Sequence, residues 1–178
     1  MKLYEISDNY TNYMQQYFYS TMLENKEESR KHTRKYIGVL IEINGYKYFA
    51  PLSSPKKSDY QNGKIRDSSS IVLRMVKNYS TRPVLLGTIK INNMIPVPDT
   101  EIILYDYVAE KDIRYRKLIE DELDWINHNI TMIRKAAKGV YKSKMNEKFS
   151  RNDKNARYYD SITPFKDAEE KCSLWKNC

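Results

Sequence analysis

Two β-rich runs joined by Asn44-Gly45 constrain this chain more than any other feature in it. Tyr36 to Ile43 (YIGVLIEI) and Tyr46 to Leu52 (YKYFAPL) are crowded with branched and aromatic residues, and Asn-Gly supplies the two positive-φ positions that a tight hairpin turn demands. An antiparallel hairpin is predicted there. KLYEI ahead of it reads as another short strand, and IVLRMV, PVLLGTIKI, MIPVP and EIILYDYV behind it return to strand-like apolar runs. Pro96 and Pro98 place MIPVP at an edge or a bend, because proline cannot donate to a ladder. The stretch SDYQNGKIRDSSS, rich in Gly, Asn and Ser, reads as a loop.

Helical spacing occurs in two places. YTNYMQQYFYSTML sets Tyr13, Met14, Tyr17, Phe18 and Met22 one turn apart, which predicts a short helix, and the densely charged ENKEESRKHTRK after it predicts a mobile loop. From about Lys111 the period changes. Ile119, Leu123, Ile126, Ile130 and Ile133 recur at intervals of four and three beside Trp125, the stripe of a long amphipathic helix. Gly139 is read as its stop, Val140 to Phe149 as a weaker second helix, and the remainder as a polar tail. A length of 178 residues suits one domain, with a β-rich part over about 1–108 and a helical part over about 110–160. Early strands followed by helices suggest a compact α+β fold, a small curled barrel with helices packed outside.

With 31 Lys+Arg against 23 Asp+Glu the formal charge is +8, which favours a polyanionic partner over an acidic metabolite. Sixteen tyrosines offer aromatic faces that tolerate a wet surface. Cys172 and Cys178 are the only cysteines, and no Cys/His spacing resembles a zinc site. MKLYEISDNY lacks the apolar run of a signal peptide, and no stretch approaches the roughly 20 apolar residues of a membrane span. The expected setting is a reducing cytoplasm.

Phosphate chemistry needs either a metal held by carboxylates or cations and hydroxyls gathered at the scissile group. Glu120, Asp121, Glu122 and Asp124 share the long helix with Arg114, Arg116 and Lys117 and read as a solvated face, so no metal is expected. His128 lies on the polar side of the same helix, leaving His32, inside RKHTRK, as the more open histidine. Hydroxyl and lysine chemistry remains. Ser53 and Ser54 stand where the second hairpin strand ends, Pro55 restrains the backbone, and Lys56 and Lys57 follow at once. In RNA the 2′-hydroxyl can attack its own phosphate, so a protein need only position it, move its proton and stabilise the developing charge. From spacing alone, the same residues also describe a basic surface loop whose serines cap a turn.

Taken together, MKLYEIS, YIGVLIEINGYKYFAPLSSPKK and MIPVP resemble the ToxN/AbiQ family of type III toxin–antitoxin endoribonucleases in order and approximate spacing. The resemblance covers about the first 100 residues, with FAPLSSPKK its most specific segment. It implies a compact, strongly curled antiparallel β-barrel of the Kid/MazF, SH3-like kind with additional helices. It also implies cofactor-free, metal-independent RNA cleavage that leaves a 2′,3′-cyclic phosphate and a 5′-hydroxyl. The partner it implies is a repetitive antitoxin RNA, cut into units that assemble with the toxin into a closed complex, and the implied role is phage defence by abortive infection against cellular or phage messenger RNA.

Residue by residue, the family's hydroxyl pair falls on Ser53 and Ser54, with serine at 53 where the family has threonine, and its active-site lysine falls on Lys56. A second family lysine, counted back from Ile37-Gly38, falls on Arg34, which binds phosphate but carries protons poorly; Lys35 or His32 could substitute. Tyr10 matches an aromatic position of the family, as a groove-lining or a packing residue. Lys57 adds charge beside the site. The basic stretch holding Lys142, Lys144, Lys148 and Arg151 is a candidate for the antitoxin backbone, or a solvated face. The competing functions are a non-catalytic RNA-binding module and an interferase with a protein antitoxin.

Overall fold

The computed structural model describes residues 1–22, 34–146 and 159–175. Strand β1 (Leu3–Ile6) leads into helix α1 (Asp8–Phe18). Ser7 caps that helix, its Oγ accepting from the Tyr10 N–H at 3.1 Å. The charged loop expected next lies outside the described residues. The predicted hairpin follows as β2 (Tyr36–Ile43) and β3 (Tyr46–Ser53), turned by Asn44 and Gly45 at φ 53° and 80°, the left-handed geometry that selects Asn-Gly. The stretch read as a plain loop contains a miniature hairpin, β4 (Tyr60–Gln61) and β5 (Lys64–Ile65), turned by Asn62-Gly63. Then come β6 (Val72–Asn78), β7 (Pro83–Lys90), β8 (Ile95–Pro96) and β9 (Ile102–Leu104).

All pairings are antiparallel, and the main sheet runs β6-β7-β3-β2-β1-β9 with β8 attached to β3. Strand β3 changes partners along its length. Tyr46 to Pro51 pair with β2, Tyr48 and Phe49 also pair with β8, and Leu52 and Ser53 pair with β7. The expected strongly curled barrel does not form, because β6 and β9 end the sheet without pairing to each other. Strand β9 is only three residues long, and a helix does the work that closure would have done. Ile119, Leu123, Ile126 and Ile133 of that helix share one core cluster with Leu40, Leu52, Leu73, Met75 and Ile89 of the sheet. A sheet whose apolar face is covered by a helix gains little from closing on itself.

The covering helix, α2 (Ile113–Met145), has 33 residues. The Asp112 carboxylate starts it, accepting from the Arg114 and Tyr115 N–H groups at 3.1 Å each. It does not stop at Gly139. A helical glycine costs only about 1 kcal/mol relative to alanine, and buried Ile133, Ala137, Val140 and Tyr141 carry the apolar stripe past it. Nor is the end of the chain simply a polar tail, since Phe165–Leu174 forms helix α3. Phe165 stacks on Tyr141 with ring centres 5.4 Å apart and meets Tyr48 edge-on at 5.6 Å. The hydroxyls of Tyr48 and Tyr141 both donate to Oε1 of buried Glu169, at 2.7 and 2.8 Å. Beyond α3, the indole of Trp175 donates to Glu101 at 3.0 Å, and Ser7 and Thr100 donate to the same carboxylate. Burial raises the cost of that charge, but these three donors outweigh it and hold Glu101 below the usual carboxylate range.

Candidate active site

The sheet register assembles the site at the exit of β3. Ser53 pairs with Thr88 of β7, and Thr88 pairs with Arg74 of β6, so the three share one face. That face is opposite the one bearing Leu52, Leu73, Met75 and Ile89, which packs on α2. Ser53 and Thr88 are buried, and Thr88 Oγ1 donates to the Ser53 carbonyl at 3.4 Å. The chain then emerges, and Ser54, Pro55, Lys56 and Lys57 are exposed.

Asp59 holds this tip in place. It is 2% exposed. Its Oδ2 accepts from the Lys56 N–H at 3.0 Å, its own N–H donates to the Lys56 carbonyl at 2.9 Å, and its Oδ1 pairs with Arg74 Nη2 at 2.9 Å. These two bonds, one to the Asp59 side chain and one between backbones, tie positions 56 and 59 together across a single 3₁₀ turn, Lys57–Asp59. Arg74 is itself anchored, donating through Nη1 to the Asp67 carbonyl at 2.6 Å. A chain of bonds thus runs from the sheet through Arg74 and Asp59 to the backbone of Lys56.

Two more cations complete the cluster. Arg34 is buried, and its Nη1 donates to the Leu52 carbonyl at 3.0 Å, fastening the residue before Ser53. Lys90 ends β7 two residues beyond Thr88, on the face of Thr88, Arg74 and Ser53. Burial pulls its pKa below the usual lysine value; Asp59 opposes that, and the charges of Lys56, Arg74 and Arg34 add to it. One carboxylate therefore stands among four cations, an arrangement suited to an anionic group.

The structure thus brings together Ser53, Ser54, Lys56, Lys57 and Arg34, and adds Asp59, Arg74, Thr88 and Lys90, which sequence reasoning missed. Asp59 joins through the turn after β3, and the other three join through strand register. Other candidates have contacts elsewhere. Lys35 is buried, ion-paired with Glu5, its Nζ 3.9 Å from the centre of the Tyr105 ring. Tyr10 is fully buried in the second core cluster with Met14, Phe18 and Phe49, and its hydroxyl donates to the Pro96 carbonyl at 2.6 Å. Burial, above all, pushes that phenol well above its ordinary pKa. Lys142 is exposed near the end of α2, while Lys144 donates to the Tyr159 carbonyl at 2.9 Å and lies over that ring. His32, Lys148 and Arg151 lie outside the described residues. Among the described residues no three His, Cys, Asp or Glu side chains are grouped as a metal site would require, and no helix is long and apolar enough to cross a membrane.

Residues 2–172 match the family described as toxin ToxN of type III toxin–antitoxin systems. The chain belongs to the ToxN family. The endoribonuclease ToxN of Bacillus thuringiensis subsp. kurstaki is 31% identical over 178 residues, spanning 98% of this chain and 84% of that protein. Among solved structures, a toxin of a bacterial type III system that is selectively inhibited by a non-coding RNA pseudoknot superposes with a TM-score of 0.80 at 26% identity, covering 99% of this chain and 98% of that one. AbiQ, a lactococcal anti-phage endoribonuclease of a type III system, superposes with a TM-score of 0.76 at 25% identity, covering 97% and 96%. The ToxN-family match extends well past the first 100 residues that carry the sequence motifs, into α2 and α3.

Proposed function

We propose that this chain is the toxin of a type III toxin–antitoxin system, an endoribonuclease of the cytoplasm that is silenced by an RNA partner and acts in phage defence. The cationic cluster around the Ser53-Ser54-Pro55-Lys56 exit, fixed by Asp59, is the observation that carries the reading. Membership of the ToxN family and the naming of its relatives as endoribonucleases support it.

The substrate supplies its own nucleophile. The 2′-hydroxyl of one nucleotide attacks the adjacent phosphate, the 5′-oxygen leaves, and the fragments carry a 2′,3′-cyclic phosphate and a 5′-hydroxyl. Ser54, exposed at the tip, orients the reacting group, and Ser53 supports the turn beneath it. Lys56, projecting from a backbone that Asp59 holds at both its N–H and its carbonyl, meets the charge that builds on the phosphate in the transition state. Arg34 acts through the backbone of Leu52. No step in this scheme uses a metal or a covalent enzyme intermediate. A non-coding RNA inhibits the related toxin, and the +8 formal charge of this chain suits the same class of inhibitor.

The test is incubation of the purified protein and of Lys56→Ala with single-stranded RNA in excess chelator, followed by end-group analysis. Cyclic phosphate ends from the wild type and none from a folded Lys56→Ala protein are expected. Undiminished cutting by the folded variant removes the role of Lys56, and absence of cutting by the antitoxin-free wild type on varied RNAs removes the endoribonuclease reading.

A further inference from the structure

In the cleavage just described the 2′-hydroxyl must give up a proton, and the groups assigned so far are poorly suited to take it. Serine hydroxyls are not bases at neutral pH, a guanidinium does not deprotonate in a protein, Lys56 is committed to the phosphate charge, and buried Asp59 has both oxygens engaged, by the Lys56 N–H and by Arg74. Lys90 is differently placed. It lies on the same sheet face as Ser53, Thr88 and Arg74, one row beyond Thr88, which is roughly 7 Å along the strand. The charged groups that bear on it are Lys56 and Asp59 from the loop after β3, Arg74 from β6, and Arg34 from the segment before β2. Half-buried among three cations and one carboxylate, its ammonium is held less firmly than that of a lysine in water.

We propose that Lys90 is the general base of the cleavage step. This rests on the endoribonuclease reading and deepens it. The neutral Nζ lone pair takes the proton as the O2′–H bond breaks and the O2′–P bond forms. The P–O5′ bond breaks with its electron pair on O5′, which takes a proton from water, and the Lys90 ammonium then returns its proton to solvent. Lys56 is left to its electrostatic role.

Lys90→Arg separates charge from proton transfer, because arginine keeps the cation but cannot serve as a base. Single-turnover cleavage of one single-stranded RNA in chelator is measured from pH 5 to 10 for wild type, Lys90→Arg, Lys90→Gln and Lys56→Ala, with circular dichroism to check folding. For the wild type the rate should climb with pH and then level off. Lys90→Arg should lose about 100-fold or more at neutral pH, lose the bend in the profile, and bind the RNA within about threefold of wild type because its charge is kept. Lys90→Gln should be as slow. A folded Lys90→Arg protein that cuts at the wild-type rate with the same bend overturns the proposal while an inactive Lys56→Ala leaves the site reading intact. A wild type that cuts no RNA removes both. If neither Lys90 variant folds, the wild-type profile decides, and a rate with no bend between pH 5 and 10 rejects Lys90 as the base.

Discussion

Glu122 offers a stability measurement that depends on no assumption about RNA. It lies on α2 with its side chain against β7, where Gly87 leaves room for it. A Cβ at position 87 would come within 2.6 Å of Glu122 Oε1 and 3.1 Å of Met75 Cε. Glu122 is 6% exposed, and burial pushes its carboxyl from an ordinary 4.5 up to about 8. Below pH 4.5 the folded and unfolded chains both hold the proton and the contribution to stability is complete. Above it the unfolded chain releases a proton that the folded chain keeps, so stability falls by about 1.4 kcal/mol per pH unit until the folded group itself titrates. By pH 8, where the folded carboxyl is half ionised, the loss amounts to roughly 4 kcal/mol. Glu122→Gln preserves size and cannot ionise. Urea unfolding followed by circular dichroism at pH 5, 6, 7 and 8 should therefore show the variant gaining on the wild type by roughly 1.2 to 1.3 kcal/mol over each of the first two steps and about 1 kcal/mol over the last, where the folded carboxyl begins to titrate. A difference between the two proteins that stays constant from pH 5 to 8 would refute the reasoning, because it would mean that the folded and unfolded carboxyls titrate alike.

Two further perturbations address the tip and the C-terminal helix. Asp59→Ala removes the acceptor for the Lys56 N–H and takes from Arg74 its carboxylate, leaving it only the Asp67 carbonyl; breaking a buried pair from one side costs about 3 kcal/mol. Urea unfolding should show that loss, and single-turnover cleavage should slow by at least about tenfold as Lys56 loses its positioning; an unchanged rate would mean that the turn does not set the geometry. Tyr141→Phe removes one of two hydroxyls donated to Glu169 and should lower stability by about 1.5 to 3 kcal/mol, the worth of a hydrogen bond to a charged group. An unmoved unfolding midpoint would show that Tyr48 alone satisfies that carboxylate.

Local signals carried most of the strand order. Asn44-Gly45 determines its turn through backbone geometry that few other residues tolerate, so the β2–β3 hairpin was legible without any tertiary information. The same signal at Asn62-Gly63 went unused because the strands beside it are two residues each, too short to show a pattern. Barrel closure was not legible. It depends on what covers the apolar face of the sheet, and α2 does so with residues 119–140, far along the chain from Leu52 and Leu73. Gly139 misled as a stop because its propensity cost is local, whereas the burial of Val140 and Tyr141 is tertiary. Helix α3 was missed because FKDAEEKCSL dilutes its apolar positions with charge, and one of those charges, Glu169, is buried under two tyrosine hydroxyls. At the candidate site, Ser53, Ser54 and Lys56 came from a recognisable segment. Arg74, Thr88 and Lys90 gather only through the pairing of β3, β7 and β6, which no spacing reveals.

That pairing also orders events during synthesis. Every residue of the cationic cluster has been made once the chain reaches Lys90, yet the sheet that aligns them has one face of Leu52, Leu73, Met75 and Ile89 whose cover is α2. Until residues 113–145 leave the ribosome that face has nothing to pack against. The residues of the candidate site thus exist before the sheet that aligns them has its cover, and the interval between the two is as long as the translation of residues 91–145.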